Sequence, residues 1–148
     1  YRAGGLYKLP GLKILDYCDR MDEAYAAADL VVSRSGGSTI SELARLENPA
    51  ILVPLPGSPG AHQKANAEIL SGAGAAILLE ESPAFPDELH TVVKRLLEEP
   101  ARIAEMKGRF KTLDLPDPFL AACALRAIME KHLLKNVIGK EKLKTYGN

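Results

Sequence analysis

An excess of charge of either sign is the first thing this chain lacks: 19 basic and 19 acidic residues cancel to a formal net charge of zero. A nucleic-acid binder carries a basic stripe or face, so no DNA or RNA partner is expected. Cysteine is nearly missing. Cys18 and Cys123 stand far apart without metal-ligand spacing, which argues against a disulfide scaffold or a zinc site and points to a reducing compartment, the cytoplasm. Long apolar runs are missing too. No stretch approaches the roughly 20 residues that a membrane span needs, and the N-terminus lacks a signal-peptide pattern. There is no internal repeat and no low-complexity tract. What is there, 47% hydrophobic and 26% charged over 148 residues, suits one globular domain with one sizeable core. The chain begins on tyrosine, with loop-like Gly4-Gly5 and Pro10-Gly11 close behind, so the expectation is a fragment of a longer protein.

Hydrophobic periodicity divides the first hundred residues into alternating strands and helices. Leu12-Lys13-Ile14-Leu15 reads as a short strand. Asp19 to Ala28 reads as a helix with Asp19 at its N-cap and Met21, Ala24, Tyr25 and Ala28 on one face. Asp29-Leu30-Val31-Val32-Ser33 is short, apolar and β-branched, as expected of a strand buried on both faces of a parallel sheet. Ile40, Leu43, Ala44 and Leu46 then recur at helical spacing until Asn48-Pro49. Ala50 to Val53 is a further buried strand, His62 to Leu70 a helix stopped by Gly72 and Gly74, and Ala75 to Leu79 another strand. Such alternation predicts an α/β fold, a parallel sheet with helices on both faces and ligands at the carboxyl ends of its strands. From Pro86 onward the pattern is helical. Leu89, Val92, Val93, Leu96 and Leu97 form one stripe, Pro100 separates it from Ile103, Met106 and Phe110, and a third helix runs from about Phe119 to Leu134 with Cys123 on its apolar face. The lysine-rich tail beyond it, with Lys135, Lys140, Lys142 and Lys144, is expected to be a solvated terminus, the alternative being contact with an anionic membrane surface.

The chemistry concentrates in Arg34-Ser35-Gly36-Gly37-Ser38-Thr39-Ile40-Ser41-Glu42, where two glycines and a hydroxyl cluster join a strand to a helix. A helix start exposes unpaired N–H groups and the positive end of the dipole, and glycine lets a phosphate approach the backbone closely. The same letters also fit a capping box, with Thr39 and Glu42 satisfying the helix's own orphan donors and no ligand needed. On these nine residues alone both readings stand. A second polar group, His62-Gln63-Lys64-Ala65-Asn66, opens the helix after the next strand, with Gln63 and Asn66 three apart and therefore neighbours on one face. Both helix starts follow strands whose carboxyl ends share one edge, so their polar groups are expected to converge on one ligand. Asp16, Asp19 and Asp22 straddle a loop and a helix start, where capping explains them better than metal binding. His90 and His132 read as surface residues.

In the order Asp29 to Thr39, Ser41-Glu42-Leu43, Pro49 to Pro54, and His62-Gln63 with Asn66-Ala67, the chain resembles the MurG family of bacterial UDP-N-acetylglucosamine transferases. The likeness covers about Leu12 to Leu97 and weakens beyond Pro100. It implies a Rossmann-like partial C-terminal domain of a GT-B glycosyltransferase, with residues 1–99 as the α/β core and 100–148 as C-terminal helices and tail. It implies a donor substrate, UDP-N-acetylglucosamine, no cofactor and no metal. The acceptor would be a lipid-linked N-acetylmuramoyl-pentapeptide, held by an N-terminal domain absent from this sequence, with the enzyme at the inner face of the cytoplasmic membrane. Carried over by position, the likeness puts Cys18 at the uracil through its backbone, and Ser35, Gly36, Gly37, Ser38, Thr39, Ile40, Ser41 and Glu42 in the donor-binding loop and helix start. Ser38 and Thr39 lie near the diphosphate and Glu42 accepts from the ribose hydroxyls. Gln63 and Asn66 hold the sugar, and His62 orients or caps. No catalytic base is assigned within the chain. Cys18 departs from the larger aliphatic residue the family pattern suggests, a small matter for a backbone contact. UDP-N-acetylglucosamine 2-epimerases share the Ser-Gly-Gly and glutamate, but an arginine- and acid-rich loop stands where this chain has Leu55 to Gln63. A non-catalytic or partner-dependent nucleotide-sugar-binding module is the other alternative.

Overall fold

The computed structural model describes residues 11–58 and 61–114. The chain divides into two compact units, Tyr1–Leu113 and Asp114–Asn148. The expected third helix and the lysine-rich tail lie outside the described residues. In chain order the elements are α1 (Met21–Ala27), β1 (Val31–Ser33), α2 (Gly37–Leu46), β2 (Ala50–Leu52), α3 (His62–Gly72), β3 (Ala76–Leu78), α4 (Phe85–Glu98) and α5 (Pro100–Arg109), closed by a 3-10 turn at Phe110–Thr112.

The three strands form one parallel sheet in the order β1-β2-β3. Val31 faces Ala50, and Ala50 in turn faces Ala76. The ladder runs one residue further at the carboxyl edge, where Val53 N–H donates to Ser33 at 2.9 Å and Leu79 N–H to Leu52 at 2.9 Å. Side chains of a strand alternate between faces, and β2 shows the consequence. Ala50 and Leu52 join one cluster with Tyr25, Ile40, Leu43, Leu70 and Phe110. Ile51 and Val53 join the other, with Leu96, Met106 and flanking residues of α4 and α5. Helices therefore cover both faces, as the alternating pattern predicts, and β2 is buried along its whole length.

Several expectations need correction. Leu12 to Leu15 forms no strand, and Leu12, Ile14 and Leu15 are exposed. Hydrophobicity alone did not give that segment a partner among the described residues. Asp19 does not cap α1. The helix begins at Met21 after Arg20, whose guanidinium pairs with Glu23 at 2.6 Å and Asp22 at 3.5 Å. β1 is not buried on both faces, because Val32 on the α4–α5 side remains 46% exposed at the edge of the described sheet. Its ends, like those of β2 and β3, are a residue or two shorter than periodicity suggested. α2 stops at Glu47 in a left-handed conformation, φ 53°, before Asn48-Pro49. α3 ends ahead of Gly74, whose φ of 78° is the left-handed angle that glycine adopts without strain. Pro86 and Pro100 sit in the first turns of α4 and α5, where a missing N–H costs nothing.

Candidate functional site

The carboxyl edge of the sheet carries the two turns singled out in the sequence, and the structure brings them into direct contact. Ser35, with no exposed surface, lies between the end of β1 and the start of α2. Its hydroxyl donates to the Gln63 carbonyl at 2.7 Å. Its own carbonyl accepts from Asn66 Nδ2 at 3.2 Å. Gln63 in turn reaches back to the end of β2, its Oε1 accepting from Leu55 N–H at 2.9 Å. One buried serine thus joins the first turn of α3 to the entry of α2, and the Gln63 amide ties the loop after β2 to both.

These bonds also fix which end of each amide remains available. Gln63 uses its oxygen on Leu55, leaving Nε2 as a donor. Asn66 uses Nδ2 on Ser35, leaving Oδ1 as an acceptor.

The start of α2 rules out one of the two alternatives left open by its sequence, the capping box. Gly36 is the N-cap in an extended conformation, φ −63° and ψ 152°, and no side chain caps the helix. The helix therefore begins two residues before Thr39, which places Glu42 in the second turn, beyond reach of a capping box. The first intrahelical bond is Ile40 N–H to Gly36 at 3.0 Å, so the N–H groups of Gly37, Ser38 and Thr39 have no helical acceptor. Gly37 and Ser38 are exposed and Thr39 half-buried. A Cβ added at Gly37 would meet nothing within 4 Å, so this residue borders open space. This arrangement suits an anion.

The remaining expected site residues fall out as follows. Ile40 is buried in the core and can offer a ligand only its backbone. Ser41 is exposed but its hydroxyl donates to the Gly37 carbonyl at 3.0 Å. Glu42, exposed, sits four residues after Ser38 and three after Thr39, on the same face as both. Beside it is the buried Tyr25, whose hydroxyl is pushed above its ordinary value by burial and then by the Glu42 carboxylate. His62 is exposed at the first position of α3, whose N-cap is Ala61 at φ 52° with no side-chain cap. Cys18 is a free, half-buried thiol ahead of α1, and none of the bonds joining the two turns involves it.

A charged frame that sequence reasoning missed surrounds this core. Arg34 donates to the carbonyls of Val53 at 3.4 Å and Pro54 at 3.3 Å and pairs with Glu81 at 2.5 Å, so one guanidinium spans the ends of all three strands. Lys64 pairs with Glu80 at 2.6 Å, and that hydrogen bond holds its ammonium above the ordinary value. Lys64, Glu80 and Glu81 line a cavity of about 230 Å³ with Leu55, Gly57 and Ser58. The signal available was a basic residue after β1 and two acids after β3, all at strand ends that a parallel sheet puts on one edge. A larger, mostly apolar cavity of about 490 Å³ lies at the opposite edge, near Asp29, Pro49, Leu97 and Ile103, and takes no part here.

With this geometry in view, known proteins give a consistent picture. The model of the glycosyltransferase family 28 C-terminal domain matches residues 4–117. A curated UDP-N-acetylglucosamine--N-acetylmuramyl-(pentapeptide) pyrophosphoryl-undecaprenol N-acetylglucosamine transferase of Chlorobium limicola is 40% identical over 104 residues, 70% of this chain and 29% of that protein. The enzyme of the same name from Halorhodospira halophila is 43% identical over 116 residues, 78% of this chain and 31% of that protein. Among solved structures, the crystal structure of Acinetobacter baumannii MurG is similar with a TM-score of 0.69 and 30% identity, covering 76% of this chain and 32% of that one. The chain thus spans about three tenths of the length of these relatives.

Proposed function

We propose, from the fact that this chain belongs to glycosyltransferase family 28 and forms part of that family's C-terminal, Rossmann-like domain, that it supplies the donor-binding half of an N-acetylglucosamine transferase. The donor is UDP-N-acetylglucosamine. The acceptor is the lipid-linked N-acetylmuramoyl-pentapeptide named in the curated relatives, held by polypeptide beyond this chain at the inner face of the cytoplasmic membrane. The observation that carries this reading is the pair of hydrogen bonds by which Ser35 joins the α2 and α3 starts. Through them, uncapped N–H donors and the free ends of two amides face one rim.

Each part has a chemical task. The N–H groups of Gly37, Ser38 and Thr39, with the Ser38 and Thr39 hydroxyls, meet the diphosphate. As the acceptor hydroxyl attacks the anomeric carbon in one inverting displacement, negative charge grows on the departing UDP, and donors held in place beforehand stabilise it without reorganising. No cofactor or metal is called for, because the helix start supplies the positive potential. Glu42, acceptor-only when ionised, takes the ribose hydroxyls. The Gln63 donor and the Asn66 acceptor match a sugar that offers both carbonyl oxygen and hydroxyl groups. Cys18 contacts the uracil through its backbone, and His62 orients the sugar-binding turn.

Titration of UDP-N-acetylglucosamine into the chain and its Glu42→Ala variant tests the assignment. Weak but specific binding without turnover is expected from the chain, with at least about a tenfold loss in the variant, the scale of a hydrogen bond to a charged group. Equal affinity in the two removes Glu42 from the site.

A further inference from the structure

Tyr25 and Glu42 line one cavity of about 340 Å³ between α1 and α2, together with Met21, Asp22, Arg45 and Leu46. Tyr25 is the buried residue of α1, and it belongs to the cluster that includes Ile40, Leu43 and Ala44 of α2. Its backbone is held as well. The buried Asn48 side chain donates to the Tyr25 carbonyl at 2.7 Å, while Asn48 N–H closes α2 on the Leu43 carbonyl at 3.0 Å. A phenol anchored at both ring and carbonyl has little freedom left. Glu42, on an exposed stretch of helix, has several rotatable bonds and no hydrogen bond fixing it within its own helix. A flexible carboxylate loses conformational entropy each time it captures a diol.

We propose that Tyr25 is a positioning residue for Glu42: its hydroxyl donates to one carboxylate oxygen, holding the other toward the ribose hydroxyls of the donor nucleotide, and Asn48 holds Tyr25 in turn. The inference rests on the donor-site assignment of Glu42 made above. The phenol is protonated at neutral pH, burial and the adjacent carboxylate raising it further above its ordinary value, so it is available as a donor. Arg45, three residues after Glu42 in the same cavity, offers charge from an exposed, mobile side chain, which fixes direction less well than a hydroxyl on a buried ring.

The test compares the affinity of the chain for UDP-N-acetylglucosamine and for its 2′,3′-dideoxyuridine counterpart, in the wild type, Tyr25→Phe and Glu42→Ala. Tyr25→Phe removes one oxygen and keeps the ring. The wild type is expected to prefer the ribose ligand. Tyr25→Phe should weaken ribose-ligand binding by about tenfold and leave the dideoxy affinity unchanged, so the preference collapses. Two outcomes overturn the positioning role yet leave the donor-site assignment standing, provided Glu42→Ala loses the preference. One is a Tyr25→Phe protein that keeps the wild-type preference. The other is equal weakening of both ligands, which marks a general packing effect. If Glu42→Ala keeps the preference, or the wild type has none, Glu42 is not at the ribose and both ideas fall.

Discussion

Ser35→Ala probes the joint on which the proposed donor site depends. The hydroxyl has no solvent access and donates at 2.7 Å to the Gln63 carbonyl, so the variant deletes one neutral hydrogen bond, worth about 0.5–1.5 kcal/mol net. The larger penalty for an orphaned buried acceptor does not apply, because the α-helical ladder of α3 gives the Gln63 carbonyl a second donor four residues on. The vacated space is smaller than a water molecule, so the cavity contribution is small. A loss of about 1 kcal/mol follows, or about 4 °C in melting temperature for a unit of this size, read by thermal or urea denaturation. Affinity for UDP-N-acetylglucosamine should fall with it, since the two turns lose their fixed spacing. The Asn66 bond to the Ser35 carbonyl shares the same residue, so Ser35→Ala and Asn66→Ala should be non-additive by at least about 0.5 kcal/mol in a double-mutant cycle. Unchanged stability and unchanged donor affinity in Ser35→Ala would refute the claim that this serine couples the turns.

Gly37→Ala should separate folding from binding: a Cβ there meets nothing within 4 Å and alanine favours a helix over glycine by roughly 0.5–1 kcal/mol. The variant should melt no lower than the wild type yet bind UDP-N-acetylglucosamine more weakly, because a phosphate at the proposed site needs close approach to the backbone at Gly37. Leu70→Ala removes a fully buried side chain of α3 from the cluster it shares with Leu43 and Leu52, and urea denaturation should show a loss of about 2–5 kcal/mol. Tyr25 is held above its ordinary value of 10.0 in the folded chain. Its contribution to stability is therefore fully present below pH 10 and is lost as pH rises through the higher folded value, because the unfolded chain gives up the proton first. Denaturation midpoints measured at rising alkaline pH should fall less steeply in Tyr25→Phe than in the wild type.

What could be read in advance was whatever depends on local pattern. Ile51 and Val53 against Ala50 and Leu52, and the stripe from Leu89 to Leu96, declare a two-faced sheet and its covering helices because period two and period 3.6 are imposed by backbone geometry. The meeting of Ser35 with Gln63 and Asn66 was inferable from topology, since parallel strands send both turns to one edge. The detail of the meeting was not. Nothing local says that the Gln63 oxygen is taken by Leu55 N–H, or that Arg34 reaches the Val53 and Pro54 carbonyls and Glu81. Leu12 to Leu15 was misread for a related reason: apolar alternation marks a segment able to pair, while pairing itself requires a neighbour that sequence pattern does not name. Thr39 and Glu42 were ambiguous because a capping box and an anion site use the same letters. Helix register excludes the capping box, because the extended Gly36 is the N-cap three residues before Thr39.

The interactions at the carboxyl rim differ in what they can contribute. The Arg34–Glu81 and Lys64–Glu80 pairs are substantially exposed, and exposed pairs add about 0–1 kcal/mol to stability. Their value is therefore geometric: Arg34 spans the ends of β1, β2 and β3, and Lys64 ties α3 to the segment after β3. The Ser35 bonds have the opposite character, being partly buried and neutral, hence insensitive to salt. A rim assembled this way holds its spacing through uncharged contacts at the centre and adjusts its outer wall through solvated ones. Under the proposed function, a departing diphosphate is stabilised by N–H groups that do not have to move when charge develops, and the uncapped α2 start lies beside the neutral joint. The charged pairs stand outside it, at the ends of β1 and β3 and on α3.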